Sequence, residues 1–320
     1  MRNISLVAAL IAAFFATPTP AQPYPTRALR IVVGFAPGGS ADVLSRIMGE
    51  RLAQALGQPV IIENRPAAGG TVATEIVAKA QPDGHTLLLG SVGTMVFAPA
   101  LYPKLPYDVM RDFEHVGLWV TFPLALVVPA SSPLTSIKAL VEQAKAKPGT
   151  LRYASQGIGA SAHIFAEMMN HMAKIKVVHV PYKGGAPALT GVLVGEVDYG
   201  MMAVATALTQ ANTGKIRVLG VTSAKPSAML PNVPPIASAV PGYEALNWHG
   251  IEVPAKTPKA IVQKLYDESA KIARSAEMQQ KLHTLSMEAD LKPPEEYRAF
   301  VKEEIGRWAP IIKASAAKVE

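Results

Sequence analysis

Cysteine is absent from all 320 residues, which excludes a disulfide framework, a thiol nucleophile and a thiol for lipid attachment. Aromatic residues make up only 6% of the chain and its lysines and arginines are scattered, so the basic and aromatic platform that grips nucleic acid is missing. Long apolar runs are missing as well, except at the start, where Ile4 to Phe15 follows Arg2 and precedes Thr17-Pro18-Thr19-Pro20-Ala21. Charge, then an apolar stretch, then small residues is the order of a secretory signal, and this apolar part is too short to span a bilayer. The expected cut follows Ala21, and the bacterial periplasm is the compartment that fits best. Without Arg2 the chain keeps 30 basic against 24 acidic residues, a surplus that favours solubility and adds only weak attraction for anionic solutes. Among catalytic signatures, Gly-x-Ser-x-Gly and His-Glu-x-x-His do not occur, which places the burden of proof on an enzymatic reading.

What the chain does have is a plan used twice. Ile31, Val32 and Val33 suit a strand buried on both faces, and Val43, Leu44, Ile47, Met48, Leu52 and Leu56 recur at helical spacing after it. Between them lies Ala36-Pro37-Gly38-Gly39-Ser40-Ala41-Asp42, a loop whose glycines let backbone approach a ligand, with Ser40 or Asp42 placed to cap the helix. The first amides of such a helix lack internal partners and carry the positive end of its dipole, so they can cradle a small anion. Strands at Pro59 to Ile62 and Thr86 to Leu89, with a short helix from Thr71 to Ala80, complete a βαβαβ half. The same order returns: a strand at Leu151 to Ala154, the loop Ser155-Gln156-Gly157-Ile158-Gly159-Ala160-Ser161, a helix from Ala162 to Met172, and strands at Val177 to Val180 and Val197 to Met202. The two halves are expected to form an α/β clamshell, with the loops at the carboxyl ends of two sheets, the edge where ligands sit in open α/β folds. Leu118 to Pro129 and Leu246 to Pro254 read as linkers. The expected division is a signal at 1–21, a first domain of 22–124 plus 250–320 closed by helices from Pro258 and Pro294, and a second domain of 125–249.

Each signal also has a plainer reading. Gly38-Gly39 can be a simple turn, and Asp42 a helix cap or a direct ligand contact. Gly157-x-Gly159-x-x-Ala162 satisfies a relaxed dinucleotide fingerprint, yet the next strand ends in Val180-Pro181-Tyr182 with no acid to take a ribose hydroxyl. His163, Glu167 and His171 share a helix face but span about 12 Å, too far to share one ion. Met168, Met169 and Met172 read as core filler, and Trp248 as either hinge packing or a cleft wall.

Several stretches in order carry a family resemblance along almost the whole mature chain. They are Val33-Gly34-Phe35-Ala36-Pro37-Gly38-Gly39 with Asp42, Glu63-Asn64-Arg65-Pro66 with Gly69-Gly70, Pro82-Asp83-Gly84-His85-Thr86-Leu87, Tyr153-Ala154-Ser155 with Gly157, Gly159 and His163, and His179-Val180-Pro181-Tyr182-Lys183-Gly184. The sequence resembles the periplasmic solute receptors of tripartite tricarboxylate transporters, the Bug family. That resemblance implies a type II periplasmic-binding-protein fold, with an organic carboxylate between two α/β domains and neither metal nor cofactor. It implies that Phe35, Gly38, Gly39, Ser40 and Asp42 supply one loop and Gly159, Ala160, Ser161 and His163 the other, with ordered water helping. Asn64, Ser91 and Thr94 would line one side of the cleft, and Gln156, Tyr182, Ala203 and Trp248 the other and the far end. Ala67 and Ala73 stand where glycine is usual, and Glu252 departs from the customary Trp-x-Gly-x-x-Ala-Pro. The expected function is capture of a small organic carboxylate by a monomeric receptor and its delivery to membrane transporter components. A secreted enzyme acting on such an acid and a receptor domain that signals to a sensor are the alternatives.

Overall fold

Apolar runs bounded by turns become strands in the computed structural model, which describes residues 24–314; the expected signal at 1–21 lies outside the described residues. Strands β1 (Leu29–Val33), β2 (Val60–Asn64), β3 (Thr86–Ser91), β4 (Phe113–Phe122), β10 (Asn247–Pro254) and β11 (Glu288–Ala289) form a sheet in the order β11-β4-β10-β3-β1-β2. Strands β5 (Leu124–Pro129), β6 (Arg152–Ser155), β7 (Val178–Pro181), β8 (Tyr199–Ala203) and β9 (Ile216–Val221) form a second, in the order β7-β6-β8-β5-β9. β1 runs parallel to β2 and β3, and β6 parallel to β7 and β8. β10 lies antiparallel on β3, as β5 does on β8. The order β2-β1-β3-β10-β4 is therefore repeated as β7-β6-β8-β5-β9, and the two-domain α/β clamshell expected from the repeated plan is the fold observed.

The run expected as one extended linker, Leu118 to Pro129, is instead the end of β4 and all of β5, which belong to different sheets. Pro123 separates them, because it has no N–H to give to either ladder. The return run is β10, paired on both sides with β3 and β4. Its unusual Glu252 is fully buried, and its carboxylate accepts a hydrogen bond from the Tyr297 hydroxyl at 2.7 Å, while His115 Nδ1 lies 2.8 Å from its other oxygen outside hydrogen-bond geometry. A buried acid needs such partners in place of water.

The helix Ser40–Leu56 buries Leu44, Met48 and Leu52 and ends at Gly57, whose φ of 69° suits a left-handed cap. The last described helix, Pro294–Ala314, closes the molecule with Trp308, whose ring lies 5.2 Å from that of Phe97 and 5.4 Å from that of Phe165. Phe97 follows β3 and Phe165 sits in the helix Ser161–Ala173 after β6, so one aromatic cluster joins the halves. Trp308→Ala should destabilise the protein by about 3–5 kcal/mol, the usual loss for truncating a fully buried large aromatic. Urea unfolding followed by circular dichroism measures it; a loss below ~1 kcal/mol would show that the cluster does not hold the halves together.

Candidate functional site

Strand orders β2-β1-β3 and β7-β6-β8 each reverse direction of winding at the central strand, and in open α/β sheets a crevice forms there, outside the carboxyl ends of the strands. The loops after β1 and β6 thus become the natural floor of a site. Close packing draws the first of them toward its neighbours. A Cβ on Gly34 would stand 2.6 Å from the Gly70 Cα, and one on Gly70, whose φ is 92°, would stand 2.6 Å from Thr94 Cγ2. Glycine at both positions lets the loops after β1, β2 and β3 meet.

In the first loop, Asp42 lies one turn into the helix and accepts the Gly38 N–H at 2.9 Å. Arg46 pairs with the same carboxylate at 2.9 Å and also reaches Asn64 Oδ1 at 3.1 Å, while Asn64 Nδ2 donates to the Phe35 carbonyl at 3.1 Å. The hydrogen bond from Arg46, and with it the Gly38 N–H, holds the Asp42 carboxyl below the usual carboxylate range against the opposing effect of burial. Asp42 therefore supports the loop, with its charge paired to Arg46. Ser40 is exposed and has no partner among the described residues.

In the second loop, the Gly159 N–H donates to His163 Nδ1 at 3.0 Å. His163 stacks on His179 with ring centres 3.9 Å apart, and His179 Nε2 lies 2.7 Å from Ser155 Oγ. That hydroxyl donates to the Gly157 carbonyl at 3.0 Å. Burial first, and His179 second, push the His163 imidazole down to about 3; burial pushes His179 down to about 4. Both rings are neutral at ordinary pH, as the acceptor role of His163 Nδ1 requires. The Gly159 loop also touches the other half, since a Cβ there would lie 2.7 Å from Leu101 Cδ1.

Among the described residues, the helices Ile137–Ala146 and Ala276–Thr284 begin with side-chain caps, from Ser136 and Ser275. The helices that follow the parallel strands β1, β2, β6, β7 and β8 have none. In the Ser40–Leu56 helix the first backbone bond runs from Val43 to Gly39, and in Ser161–Ala173 from Ile164 to Ala160. Ahead of them the amides of Ser40, Ala41 and Asp42, and of Ser161, Ala162 and His163, have no acceptor among the described residues. Open amides and two helix dipoles of the same sign can hold an anion without a cationic side chain.

The structure joins Phe35, Gly38, Gly39, Ser40, Asp42 and Asn64 in one loop system and Gln156, Gly159, Ala160, Ser161 and His163 in the other, where the Gly184 N–H donates to the Gln156 carbonyl at 3.2 Å. Ser91 and Thr94 are buried and bonded to each other at 3.2 Å, so they build a turn; Ala203 is exposed at the end of β8. One expectation is corrected. Trp248 is fully buried with its ring edge-on to Tyr297 and Phe300, so it is core packing and not a cleft wall. Tyr182 is half-buried, with its hydroxyl against Gly191 of its own half. Glu167 is held by Tyr153 at 2.6 Å and Asn170 at 3.1 Å, apart from any shared role with His163 and His171. Sequence reasoning missed His179 and Asn247; the first was visible as a lone polar residue between valines, whereas nothing local connected Asn247 to the loops.

Comparison with known proteins agrees with this geometry. The profile of the family described as "Tripartite tricarboxylate transporter family receptor" matches residues 44–316. Protein BugT of Bordetella pertussis is 32% identical over 325 residues, covering 99% of this chain and all of that protein. A solved R. palustris protein with adipate has a TM-score of 0.83 at 33% identity, covering 92% of this chain and 100% of its own. MatC from Rhodopseudomonas palustris with bound malate has a TM-score of 0.79 at 32% identity, covering 90% and 100%.

The histidine pair has a pH signature. A histidine titrates near 6.5 in the unfolded chain, well above these buried rings, so between about pH 6.5 and 4 the unfolded state takes up protons that the folded state refuses. Stability should therefore fall as pH drops from 6.5 to 4.5, by on the order of 2–3 kcal/mol from His163, and should not change through these groups above 6.5. Thermal melting of the native protein and of His163→Gln checks this: the variant should show the shallower slope. Identical slopes would mean that the pair does not carry the dependence.

Proposed function

This chain belongs to the tripartite tricarboxylate transporter receptor family, and we propose that it is a periplasmic receptor that holds a small organic carboxylate between its halves and delivers it to a membrane transporter. The observation that carries this reading is the pair of uncapped helix starts that follow β1 and β6, the corresponding strands of two matched sheets. One carboxylate oxygen is received by the amides at Ser40 and Ala41, with the Ser40 hydroxyl beside them; the amides at Ser161 and Ala162 meet the ligand from the other half. Phe35, Gly38 and Gly39 shape the first seat, supported by Asp42 and Asn64, while Gly159, Ala160 and His163 shape the second. Gln156 and Ala203 border the far end. The family relatives solved with adipate and malate hold acids of this class, which supports the same chemistry here. The protein is exported with cleavage after Ala21, works as a monomer without metal, cofactor or chemical turnover, and divides into 22–124 with 250–320 and 125–249.

Native mass spectrometry of freshly purified protein identifies the acid it carries, and calorimetry with that acid tests the seat. Gly39 has φ −77°, and a Cβ there would meet only the Ala36 carbonyl at 3.7 Å, so Gly39→Val is compatible with the fold. The added side chain stands where ligand and amides meet and should weaken binding by at least ~2 kcal/mol with melting temperature nearly unchanged. Unchanged affinity would place the seat elsewhere.

A further inference from the structure

Cations that are scattered in the sequence are gathered by the fold. Residues 125–249, the second half, carry ten basic and five acidic side chains, whereas residues 22–124 and 250–320 together are nearly balanced at 20 and 19. Strands β6, β7 and β8 run parallel, and β9 shares their direction because β8 and β9 both lie antiparallel on β5. All four therefore begin at one end of the second half, opposite the loops that leave β6 and β7 for the crevice. Arg152 opens β6, Lys176 stands two residues before β7, and Lys215 stands directly before β9. Lys145 and Lys147 lie at the end of the helix Ile137–Ala146, and Lys174 at the end of Ser161–Ala173. Backbone bonds tie these turns together. The Gly149 N–H donates to the Lys176 carbonyl at 2.8 Å, the Val178 N–H to the Leu151 carbonyl at 2.9 Å, and the Ala130 N–H, just after β5, to the Lys215 carbonyl at 3.0 Å.

All six cations are exposed, and none pairs with a carboxylate among the described residues. Lysines at helix ends suit the helix dipole, but that reason does not reach Arg152, Lys176 or Lys215, which stand at strand starts. Few acids oppose them. Glu142 is engaged by Lys138 at 3.9 Å, Glu167 is held by Tyr153 and Asn170, and Asp198 accepts the Arg152 backbone N–H at 2.7 Å; Glu196 is exposed nearby. Two apolar tips stand at the same end: Val178, which opens β7, is 44% exposed, and Val194, which follows the helix Gly185–Leu193, is 71% exposed.

We propose that this end of the second half is a docking surface for an anionic phospholipid membrane. The docking is additional to the receptor reading and takes from it only the compartment, which places the chain beside a bilayer. Lysine and arginine stems reach past the turns that carry them, and lipid phosphates move laterally to meet them, so the contact needs no fixed register. A folded acidic partner holds its carboxylates in place and asks for a matching fixed pattern, which long stems on separate turns do not offer. Each cation near an anionic surface favours partitioning by about fivefold, and the two valines add a short apolar contact. The crevice loops leave the other ends of the same strands, so a bound molecule keeps its crevice uncovered.

Sedimentation with vesicles tests this, using phosphatidylcholine alone and phosphatidylcholine with about a third phosphatidylglycerol, at about 0.1 M and about 0.5 M salt. Native protein should partition onto the anionic vesicles at least about tenfold better than onto the neutral ones, and lose most of that advantage at the higher salt. The triple variant Arg152→Gln, Lys176→Gln, Lys215→Gln should lose about tenfold or more of the partitioning while melting, and binding its acid, as the native protein does. The matched variant Lys259→Gln, Lys271→Gln, Lys302→Gln removes the same charge from exposed positions of the first half and should stay within about twofold of native. Equal losses in the two variants would mean that net charge and not this surface drives the contact, which overturns the proposal. Equal binding to neutral and anionic vesicles overturns it as well, and so does binding to neither, the result expected if the surface meets an acidic protein instead. The receptor reading is untouched by these outcomes, because it stands or falls on the recovered acid and its calorimetry.

Discussion

A carboxylate leaves water only if other donors replace it, and in the receptor reading proposed for this chain those donors are the amides at helix starts that no side chain caps. The contrast inside the molecule makes the point. Ser136 and Ser275 close the starts of helices remote from the crevice, whereas Gly39 and Ala160 stand at the corresponding positions after β1 and β6 and close nothing. An arrangement based on amides is short-ranged and directional, so it works only if the loops are held in place. It also has no need of a cation in the seat, and the one arginine beside the first loop is engaged by Asp42 and Asn64.

Most of the surrounding structure serves that placement. Gly34, Gly70 and Thr94 bring three loop ends into contact on one side, and the stacked His163 and His179 fix the second loop through Gly159 and Ser155 on the other. The halves are then set against each other by the ring cluster of Phe97, Phe165 and Trp308, by Leu101 against Gly159, and by the Ser161–Asn247 hydrogen bond. β10 has a part in both tasks. It carries Asn247 at one end and, farther along, Glu252 with its Tyr297 and His115 partners, while Gly250 leaves room for Tyr297 to approach.

The legible part of this architecture was the part written in local pattern. Ile31 to Val33 and the Leu44, Met48, Leu52 stripe announce a buried strand and the helix leaned on it, and the Gly-rich loop between them marks the seat. The repeat of that order near Ser155 announces the second half. Contacts between residues distant in sequence were not legible. Ser161 and Asn247 are 86 positions apart, and no local signal distinguishes Asn247 from any polar residue at a strand start. Trp248 stayed between two readings for the same reason: an aromatic beside a cleft and an aromatic in a core look alike until Tyr297 and Phe300, from the closing helix, are placed around it.

The central claim is that both helix starts bind one acid together. Backbone amide resonances report it directly, because an N–H that donates to a carboxylate moves strongly downfield. In a titration of isotope-labelled protein with the acid it carries, Ser40 and Ala41 from one half and Ser161 and Ala162 from the other should shift with a single common dissociation constant. Shifts confined to one of the two helix starts, or absent from both while the acid binds, would contradict the account.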